Sequence, residues 1–271
     1  FGTVTSSSFV DVSGNGHDAT CSQTKCPTLG VAGKVEGGSS FDGSDDLMYV
    51  TNASGLNITE QITLEAWVKP SLSPTSSGAQ VILSKQMNYE LMITRTGKVA
   101  AAIYNANNKY VRAYTPPNTL TQDKWSHIAM TYDGSMIRIY VDGVEKGSKA
   151  QTGNIRVTSN PISVGKLYPN SFYQGLLDEL KVYTTALNAS QILTNYNSIL
   201  LVNKGELSVV KDSAFVDSSY YPNSTGVTIG QFKFSANGAE DIKLNELVVD
   251  FYTKGTGSSN YDNLTLWDGN T

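Results

Sequence analysis

The stretch WSHIAMTYDGSMIRIYVDG, from Trp125 to Gly143, contains two apolar runs that each end in Asp-Gly. Asp-Gly pairs accept the positive φ angles of tight hairpin turns. In the second run Ile137, Ile139 and Val141 fall on one face with a period of two, which is typical of a strand. The first run is apolar on both faces, so we expect it in the middle of a sheet or between two sheets. The stretch therefore predicts an antiparallel meander.

Short strand-like runs continue over most of the first 200 residues. Residues 62–69 alternate between apolar and other side chains. Further runs of this kind are Val81–Leu83, Tyr89–Ile93, Val99–Tyr104, Tyr110–Tyr114, Ile162–Gly165 and Gly175–Tyr183. Many short strands at regular spacing predict a sandwich of two sheets. After them, Asn188 and Gln191 have the spacing of a capping box, which predicts one short helix.

Four pieces of the sequence follow one another in a characteristic order. They are the W-x-H-I-A-x-T-Y-D-G and I-x-I-Y-V-D-G motifs of the hairpin, the Asp11–Asp18 loop, the Ser40–Gly43 turn and the Gly175–Leu187 segment. Together they resemble laminin-G-like domains with a concanavalin-A-like fold. The resemblance implies an all-β, antiparallel β-sandwich (jelly roll) with one short helix over residues 1–202, in an extracellular or cell-surface protein.

Length and composition limit the possible functions. A chain of 271 residues is longer than one typical domain, and its 16% of charged residues suits an extracellular all-β protein. The net charge of −4 argues against nucleic acid as a partner, because phosphate binding needs a basic surface. No apolar run reaches eighteen residues, so we expect no membrane span in this chain.

A second module is expected over residues 203–271. Its strand-like runs are Leu207–Val210, Val227–Ala236, Ile242–Phe251 and Leu264–Trp267, and the change of phase before Phe232 suggests a bulge. The module resembles the start of an immunoglobulin-like repeat of surface proteins. About four strands are fewer than the seven of such a sandwich. We therefore expect a smaller, partial immunoglobulin-like β-sandwich, either incomplete or completed by another chain.

The two cysteines, Cys21 and Cys26, are separated by four residues, a span that a small loop can close into a disulfide. Free thiols are the alternative, although an extracellular protein favours the disulfide. A zinc site would need two further ligands, and His17 and His127 are the chain's two histidines. A loop this short restricts little chain entropy, so the expected effect of the disulfide is local.

Asp178 is the carboxylate that the strand pattern singles out. It has the same parity as Leu176, Leu180 and Val182, so strand alternation would turn its side chain inward. A buried carboxylate must be paired, hydrogen-bonded or bound to a cation. The alternative is that the strand begins after Asp178 and leaves the side chain in solvent.

The resemblance also implies a structural calcium site. Similar sequences form it from an N-terminal D-x-S-G-N-G-H loop and the aspartate of the D-E pair in the last strand. In this chain the positions are Asp11, Asn15, the backbone carbonyl of His17, and Asp178. Calcium takes six to eight oxygen ligands, which such residues can supply. A Gly/Asn turn without metal is the alternative, and the acidic Asp42–Asp46 turn competes for the ion.

The carboxylates do not suggest catalysis. A glycosidase needs two carboxylates that face each other about 5–9 Å apart. Glu65 has no alternate acidic neighbour, and Asp178 and Glu179 point to opposite faces of their strand. We therefore expect that the chain is not an enzyme. Recognition of a glycan or cell-surface ligand is the function that the resemblance implies.

Aromatic and amide side chains that suit sugar recognition cluster in the loops. The candidate ligand-binding residues are Tyr89, Tyr104, Asn105, Asn108 and Tyr110. The alternative is that these are ordinary surface tyrosines and turn asparagines without a binding role.

A structural role is the rival to recognition. A sandwich followed by a partial immunoglobulin-like module resembles part of a surface filament or stalk. Neighbouring copies of such a chain can complete each other by strand complementation. The Phe1–Phe9 segment is the conceivable donor strand.

Overall fold

The computed structural model describes residues 6–35, 37–71, 79–167, 171–202, 207–211 and 232–236 of the chain. The chain divides into two compact units, Phe1–Lys204 and Gly205–Thr271. The first unit contains two antiparallel sheets and one α-helix, which confirms the all-β sandwich predicted from the alternating runs.

Eight strands form one sheet and seven form the other. The eight-stranded sheet has the spatial order β1 (Ser6–Phe9), β2 (Ala19–Ser22), β5 (Met48–Val50), β14 (Ile162–Val164), β7 (Gln80–Lys85), β8 (Tyr89–Ile93), β9 (Val99–Tyr104) and β10 (Tyr110–Tyr114). The seven-stranded sheet has the order β13 (Val144–Ala150), β12 (Met136–Val141), β11 (Ser126–Tyr132), β6 (Ile62–Pro70), β17 (Gln174–Tyr183), β4 (Gly37–Asp42) and β3 (Thr28–Ala32). The unit also contains a small pair, β15 (Lys166–Leu167) and β16 (Ser171–Phe172), the helix α1 (Ala189–Val202), and two short 3-10 helices, Gln23–Lys25 and Ser54–Leu56.

The core lies between the two sheets, where every second residue of the central strands points inward. The hairpin contributes the fully buried side chains Ile128, Met130, Tyr132, Ile137 and Ile139. Burying one large apolar side chain contributes about 1.5–3 kcal/mol. Strand β11 lies between β12 and β6, so its predicted place in the middle of a sheet and the predicted meander are both confirmed.

Helix α1 covers part of the outer face of the seven-stranded sheet. Its Ile192 is fully buried against Ala129 of β11 and Tyr140 of β12, which explains why the first run is apolar on both faces. The predicted capping box is present, because the Gln191 N–H donates to Asn188 Oδ1 (3.0 Å) and the Asn188 N–H donates to Gln191 Oε1 (2.9 Å). The described residues contain no helix with the length and hydrophobicity that crossing a bilayer requires.

The N-terminal region is joined to the eight-stranded sheet. Cys21 and Cys26 form a disulfide with a Cα–Cα distance of 5.1 Å, as the spacing predicted. Strand β1 pairs with β2, and its register matches Ser6 with Ser22. The part of the suggested donor segment that is described therefore forms an edge strand of its own sheet.

The second unit is described at one strand pair, β18 (Leu207–Lys211) and β19 (Phe232–Ala236), which are antiparallel. Both match strand-like runs of the sequence. The suggested bulge before Phe232 and the runs Ile242–Phe251 and Leu264–Trp267 lie outside the described residues. The immunoglobulin-like character of this unit stays a prediction.

The turn between β11 and β12 is held by one aspartate. Asp133 Oδ1 accepts the backbone N–H groups of Ser135 (2.9 Å) and Met136 (2.8 Å), while Oδ2 accepts Arg138 Nη1 at 2.6 Å. Although partial burial opposes ionisation, hydrogen bonds from Arg138 and Ser135 hold the pKa of Asp133 below its usual value. Gly134 supplies the positive φ of 87° that closes the turn.

We expect Asp133→Ala to lower the free energy of unfolding by about 1–2 kcal/mol, because four hydrogen bonds of the turn, one of them from the Ser135 hydroxyl, lose their acceptor. Urea unfolding followed by circular dichroism measures this change. Ser135→Ala is the matched control, since it removes one hydroxyl contact and keeps the backbone bonds. Equal losses in the two variants would contradict this role for the carboxylate.

Candidate functional site

An aromatic surface lies at the β10 end of the eight-stranded sheet, on its outer face. Tyr110, Arg112 and Tyr114 alternate along β10 and share this face, and Tyr104 of β9 is the register partner of Tyr110. The rings of Tyr104 and Tyr110 have centroids 4.2 Å apart. We call these four residues the aromatic platform.

Arg112 holds the platform together. Its guanidinium carbon lies 5.0 Å from the ring centroid of Tyr110 and 5.9 Å from that of Tyr114. It donates hydrogen bonds to both phenol oxygens, at 3.2 Å in the case of Tyr114. Cation–π contacts with an arginine contribute about 0.5–1 kcal/mol when exposed. The guanidinium therefore fixes two rings of the platform relative to each other.

Glu90 of β8 lies beneath the platform and is only 3% exposed. Its Oε2 accepts the Tyr110 hydroxyl at 3.0 Å and lies 3.7 Å from Arg112 Nη2. Burial raises the pKa of Glu90, while the contacts with Tyr110 and Arg112 oppose the rise. Burial and the Glu90 charge also raise the pKa of Tyr110, so its hydroxyl stays protonated and donates. The carboxylate thus anchors the platform from below.

The platform has the properties of a surface that stacks on flat or puckered rings. Tyr114 is 45% exposed, and Tyr104 and Tyr110 are half-buried. Tyrosines held in place by neighbours offer a large amphipathic contact area with little loss of side-chain freedom on binding. Hydroxyl and guanidinium groups at the ring edges supply hydrogen bonds for a polar ligand.

Two of the predicted ligand-binding residues are structural. Tyr89 is 0% exposed, and its hydroxyl points into the sandwich towards the carbonyl of Leu56 (3.3 Å). Asn105 is 5% exposed, and its Oδ1 accepts the backbone N–H groups of Asn107 and Lys109 inside the β9–β10 turn. Neither side chain is available to a ligand, so these two predictions are corrected.

The other predicted residues lie at or near the platform. Tyr104 and Tyr110 belong to it, and Asn108 lies at the tip of the turn that joins their strands. Asn108 is exposed, adopts a φ of 61°, and accepts Arg156 Nη1 at 2.8 Å. The sequence interpretation missed Arg112, Tyr114 and Glu90. Period two along YVRAY already puts the first two on the face of Tyr110.

The predicted calcium residues fall into two separate groups. Asp11 and His17 are brought together, because Asp11 Oδ2 accepts the His17 backbone N–H at 2.9 Å. Asp11 Oδ1 accepts the N–H of Ser13 at 2.9 Å, and Asn15 donates its side-chain amide to the Ser13 hydroxyl. Hydrogen bonds from Ser13 and His17 lower the pKa of Asp11. The loop is therefore closed on itself by its own polar groups.

Asp178 has other partners. Its Oδ2 accepts the backbone N–H groups of Lys34 and Val35, both at 2.8 Å, and its Oδ1 accepts that of Glu179. Burial raises the pKa of Asp178, and these hydrogen bonds oppose the rise. The carboxylate fastens the turn after β3 to strand β17. The hydrogen bonds of Asp178 and those of the Asp11 loop have no residue in common, so the calcium set of Asp11, Asn15, His17 and Asp178 stays a prediction.

The parity argument for Asp178 fails because β17 contains a bulge between Asp178 and Lys181. Glu179 adopts a φ of 49° there. Leu177 packs into the core before the bulge, and Leu180 and Val182 pack against it afterwards. Asp178 therefore lies on the outer face, half-buried, rather than inside the sandwich.

The acidic turn is the described cluster whose geometry suits a cation. The carboxylate oxygens of Asp42, Asp45 and Asp46 lie within 4.8 Å of one another. Burial raises the pKa of Asp46. Partial burial also opposes ionisation of Asp42, but hydrogen bonds from backbone N–H groups of the turn lower the pKa of Asp42. Carboxylate oxygens at this spacing are ligands that Ca²⁺ accepts.

A second polar cluster lies under α1 on the outer face of the seven-stranded sheet. Glu65 is buried, accepts Asn195 Nδ2 at 2.9 Å and 3.2 Å, and lies 3.9 Å from His127 Nε2. The Trp67 ring stacks on Tyr196 of the helix with centroids 5.6 Å apart. Because the helix covers these groups, they dock α1 onto the sheet and are not exposed to a ligand.

The comparisons with known proteins agree with this architecture. A family model described as the concanavalin A-like lectin/glucanases superfamily (Laminin_G_3) matches residues 42–193. The chain therefore belongs to this family, which confirms the resemblance read from the hairpin motifs.

Individual relatives and solved structures share less than 30% sequence identity with the chain. Adhesion G-protein coupled receptor V1 of Danio rerio is 27% identical in an alignment of 160 residues that covers 52% of this chain and 2% of the receptor. The binding domain of Paraclostridial Mosquitocidal Protein 1 superposes with a TM-score of 0.59 at 18% identity, over 69% of this chain and 49% of that domain. Domain 4 of AbnA, a GH43 extracellular arabinanase from Geobacillus stearothermophilus, was solved in complex with arabinotriose. It gives a TM-score of 0.51 at 19% identity, over 64% of this chain and 82% of that one. At these identities the structural likeness shows the fold alone.

The buried histidine makes the stability of the sandwich pH-dependent. Burial, and to a lesser extent the charge of Lys181, lowers the pKa of His127 to about 4. In the unfolded chain a histidine has a pKa of about 6.5. Between these values the unfolded chain binds a proton that the folded chain does not, so stability falls as the pH drops.

We expect the wild-type chain to lose up to about 3 kcal/mol through His127 between pH 7 and pH 4. In His127→Gln this part of the loss is absent, and urea midpoints across that range measure the difference. Burial raises the pKa of Glu65, so this carboxyl group stabilises the folded chain as the pH falls, which is opposite to the effect of His127. Glu65 is present in both proteins, so its effect does not distinguish them. Identical pH profiles for the two proteins would contradict the assignment.

Proposed function

We propose that the chain is a non-catalytic extracellular recognition module that binds a glycan. The observation that carries the proposal is the aromatic platform, a set of fixed and partly exposed tyrosines over a buried carboxylate. The family description names lectins, and one structural neighbour was solved with arabinotriose. The similarity to part of an adhesion receptor supports an extracellular location.

The arrangement of the acids supports the non-catalytic part of the proposal. The two glutamates buried within strands, Glu65 and Glu90, belong to different sheets. Each is engaged by neighbours: Glu65 by Asn195, and Glu90 by Tyr110 and Arg112. A glycosidase needs two carboxylates on either side of one bond, and these two do not face each other.

The alternative of a filament subunit completed by strand exchange receives less support. Its proposed donor region includes β1, which already pairs with β2 of the same chain over Ser6–Phe9. Exchange would first have to break that pairing. We therefore propose recognition as the main function, and neighbouring copies as partners only in a secondary role.

Binding to a glycan panel that includes arabinotriose tests the platform. We expect Tyr114→Ala to weaken binding about tenfold, because a stacking ring at a binding centre contributes about 1.4 kcal/mol or more. Tyr110→Phe keeps a ring and loses the bond to Glu90, so a smaller loss is expected. Isothermal titration on the tightest panel member measures both.

Val12→Ala is the control for this series, since Val12 is exposed and lies in the Asp11–Asp18 loop, away from β9 and β10. It should bind like wild type. Loss of binding in the control, or undiminished binding by Tyr114→Ala, would remove the platform from the proposal.

A structural Ca²⁺ remains part of the proposal, and the spacing of Asp42, Asp45 and Asp46 supports the acidic turn over the set of Asp11, Asn15, His17 and Asp178. An ion bound to the folded state raises the melting temperature by mass action. We expect a chelator to lower the melting temperature of wild type and of Asp11→Asn, and to leave Asp45→Asn unchanged.

The Asp45 carboxylate accepts no hydrogen bond from the described residues, which makes Asp45→Asn the cleaner variant. Asp178→Ala is unsuitable here, because it removes the acceptor of two backbone N–H groups with or without an ion. A chelator effect that persists in Asp45→Asn and vanishes in Asp11→Asn would place the ion in the N-terminal loop instead.

A further inference from the structure

One row of residues crosses six strands of the eight-stranded sheet on its outer face. Each residue of the row is the register partner of the next one on the neighbouring strand. In order, the residues are Tyr49, Ser163, Ser84, Glu90, Ala102 and Arg112. Neighbouring strands lie about 4.8 Å apart, so the row is about 24 Å long. The aromatic platform occupies the Arg112 end. The residues at the other end of the row, Tyr49, Ser163 and Ser84, have no role in the proposed function.

A pocket with a volume of about 170 Å³ lies at that other end. Ser84 and Ser163 lie side by side on its floor, and Tyr49, Asn160 and Leu167 also line it. The ring of Tyr49 is 42% exposed. The pocket thus combines hydroxyl and amide groups with an aromatic and an aliphatic wall.

Ser84 is the informative residue of this pocket. It is 1% exposed, and its hydroxyl finds no hydrogen-bond partner among the described residues. A buried hydroxyl without a protein partner reduces stability, so its presence calls for an explanation. Because Ser84 lines the pocket, a polar group of a ligand would satisfy this hydroxyl.

The wall of the pocket is held in place by buried hydrogen bonds. Lys85 is fully buried and donates to the backbone carbonyl of Asn160 at 2.7 Å and to the side chain of Asn52. Asn160 donates its amide to the carbonyl of Gln86 at 3.0 Å. A wall fixed in this way requires little ordering when a ligand binds.

We propose that this pocket is a second sugar subsite that takes one neutral, hydroxylated ring. Serine hydroxyls and an asparagine amide both donate and accept, as sugar hydroxyls do. No carboxylate lies among the described lining residues, and the one cation there, Lys166, has its Nζ 4.8 Å from the Phe172 ring centroid. The proposal rests on the proposed function, because one glycan lying along the row would reach both ends.

The test is amide chemical-shift mapping of the full chain with D-glucose, D-galactose and L-arabinose, each added alone to high concentration. We expect at least one sugar to shift the resonances of Ser84 and Ser163. Ser84→Ala should raise the dissociation constant obtained from these shifts about fivefold, because one ligand hydrogen bond is lost. Tyr114→Ala, a variant of the platform, should leave them unchanged.

The stability of Ser84→Ala provides a second readout that is independent of any ligand. Removing a hydroxyl without a protein partner should leave the melting temperature equal or higher. A fall of more than about 3 °C would mean a structural role for the hydroxyl and would overturn the proposal.

The sugar titrations separate this inference from the proposed function. Shifts confined to Tyr104, Tyr110 and Tyr114 would overturn the second subsite and leave the proposed function standing. Shifts of residue 84 and of Ser163 that keep their wild-type concentration dependence in Ser84→Ala would also overturn it. An absence of shifts with all three sugars at both ends of the row would count against the subsite and the platform alike.

Discussion

The contact on which the candidate site depends is the buried carboxylate of Glu90. A charge inside a sheet must find partners, since leaving it unpaired costs several kcal/mol. Here the partners are the Tyr110 hydroxyl and the Arg112 guanidinium, both on β10, which reach across β9 to Glu90 on β8. Satisfying the carboxylate therefore fixes the aromatic surface above it. The same contacts stabilise the edge of the sandwich and orient the rings towards solvent. One hydrogen-bonded cluster therefore has both a structural role and a role in the proposed binding.

The two sheets have different outer faces, and this difference decides where a ligand can bind. On the seven-stranded sheet, α1 packs through Ile192 and Tyr196 and buries the polar cluster around Glu65 and His127. Those polar residues serve the docking of the helix. On the eight-stranded sheet no described helix covers the corresponding surface. A row of polar and aromatic side chains remains there between a pocket and the platform, above a buried apolar core.

The elements of the first unit could be predicted from the sequence because local signals and burial agree. The hairpin around Asp133 and the capping box at Asn188 combine turn or cap chemistry with periodicity, and both are confirmed. Predictions failed where one residue breaks the period. The bulge next to Asp178 reverses its face, and no local signal announces it. The burial of Tyr89 could have been predicted, because strand alternation puts Tyr89 on the same face as the apolar residue Leu91. Partners distant in sequence, such as Glu90 beneath the platform, follow only from the register of three strands.

We propose that the platform, at the β10 end of the eight-stranded sheet, holds the glycan. A crystal structure of the chain with the tightest-binding member of a glycan panel tests it most directly. We expect a sugar ring against Tyr114 or the Tyr104–Tyr110 pair, with a hydrogen bond from Arg112 or a tyrosine hydroxyl. A ligand bound to the seven-stranded sheet, or to the loops at the Asp11 end, with the platform untouched, would contradict it.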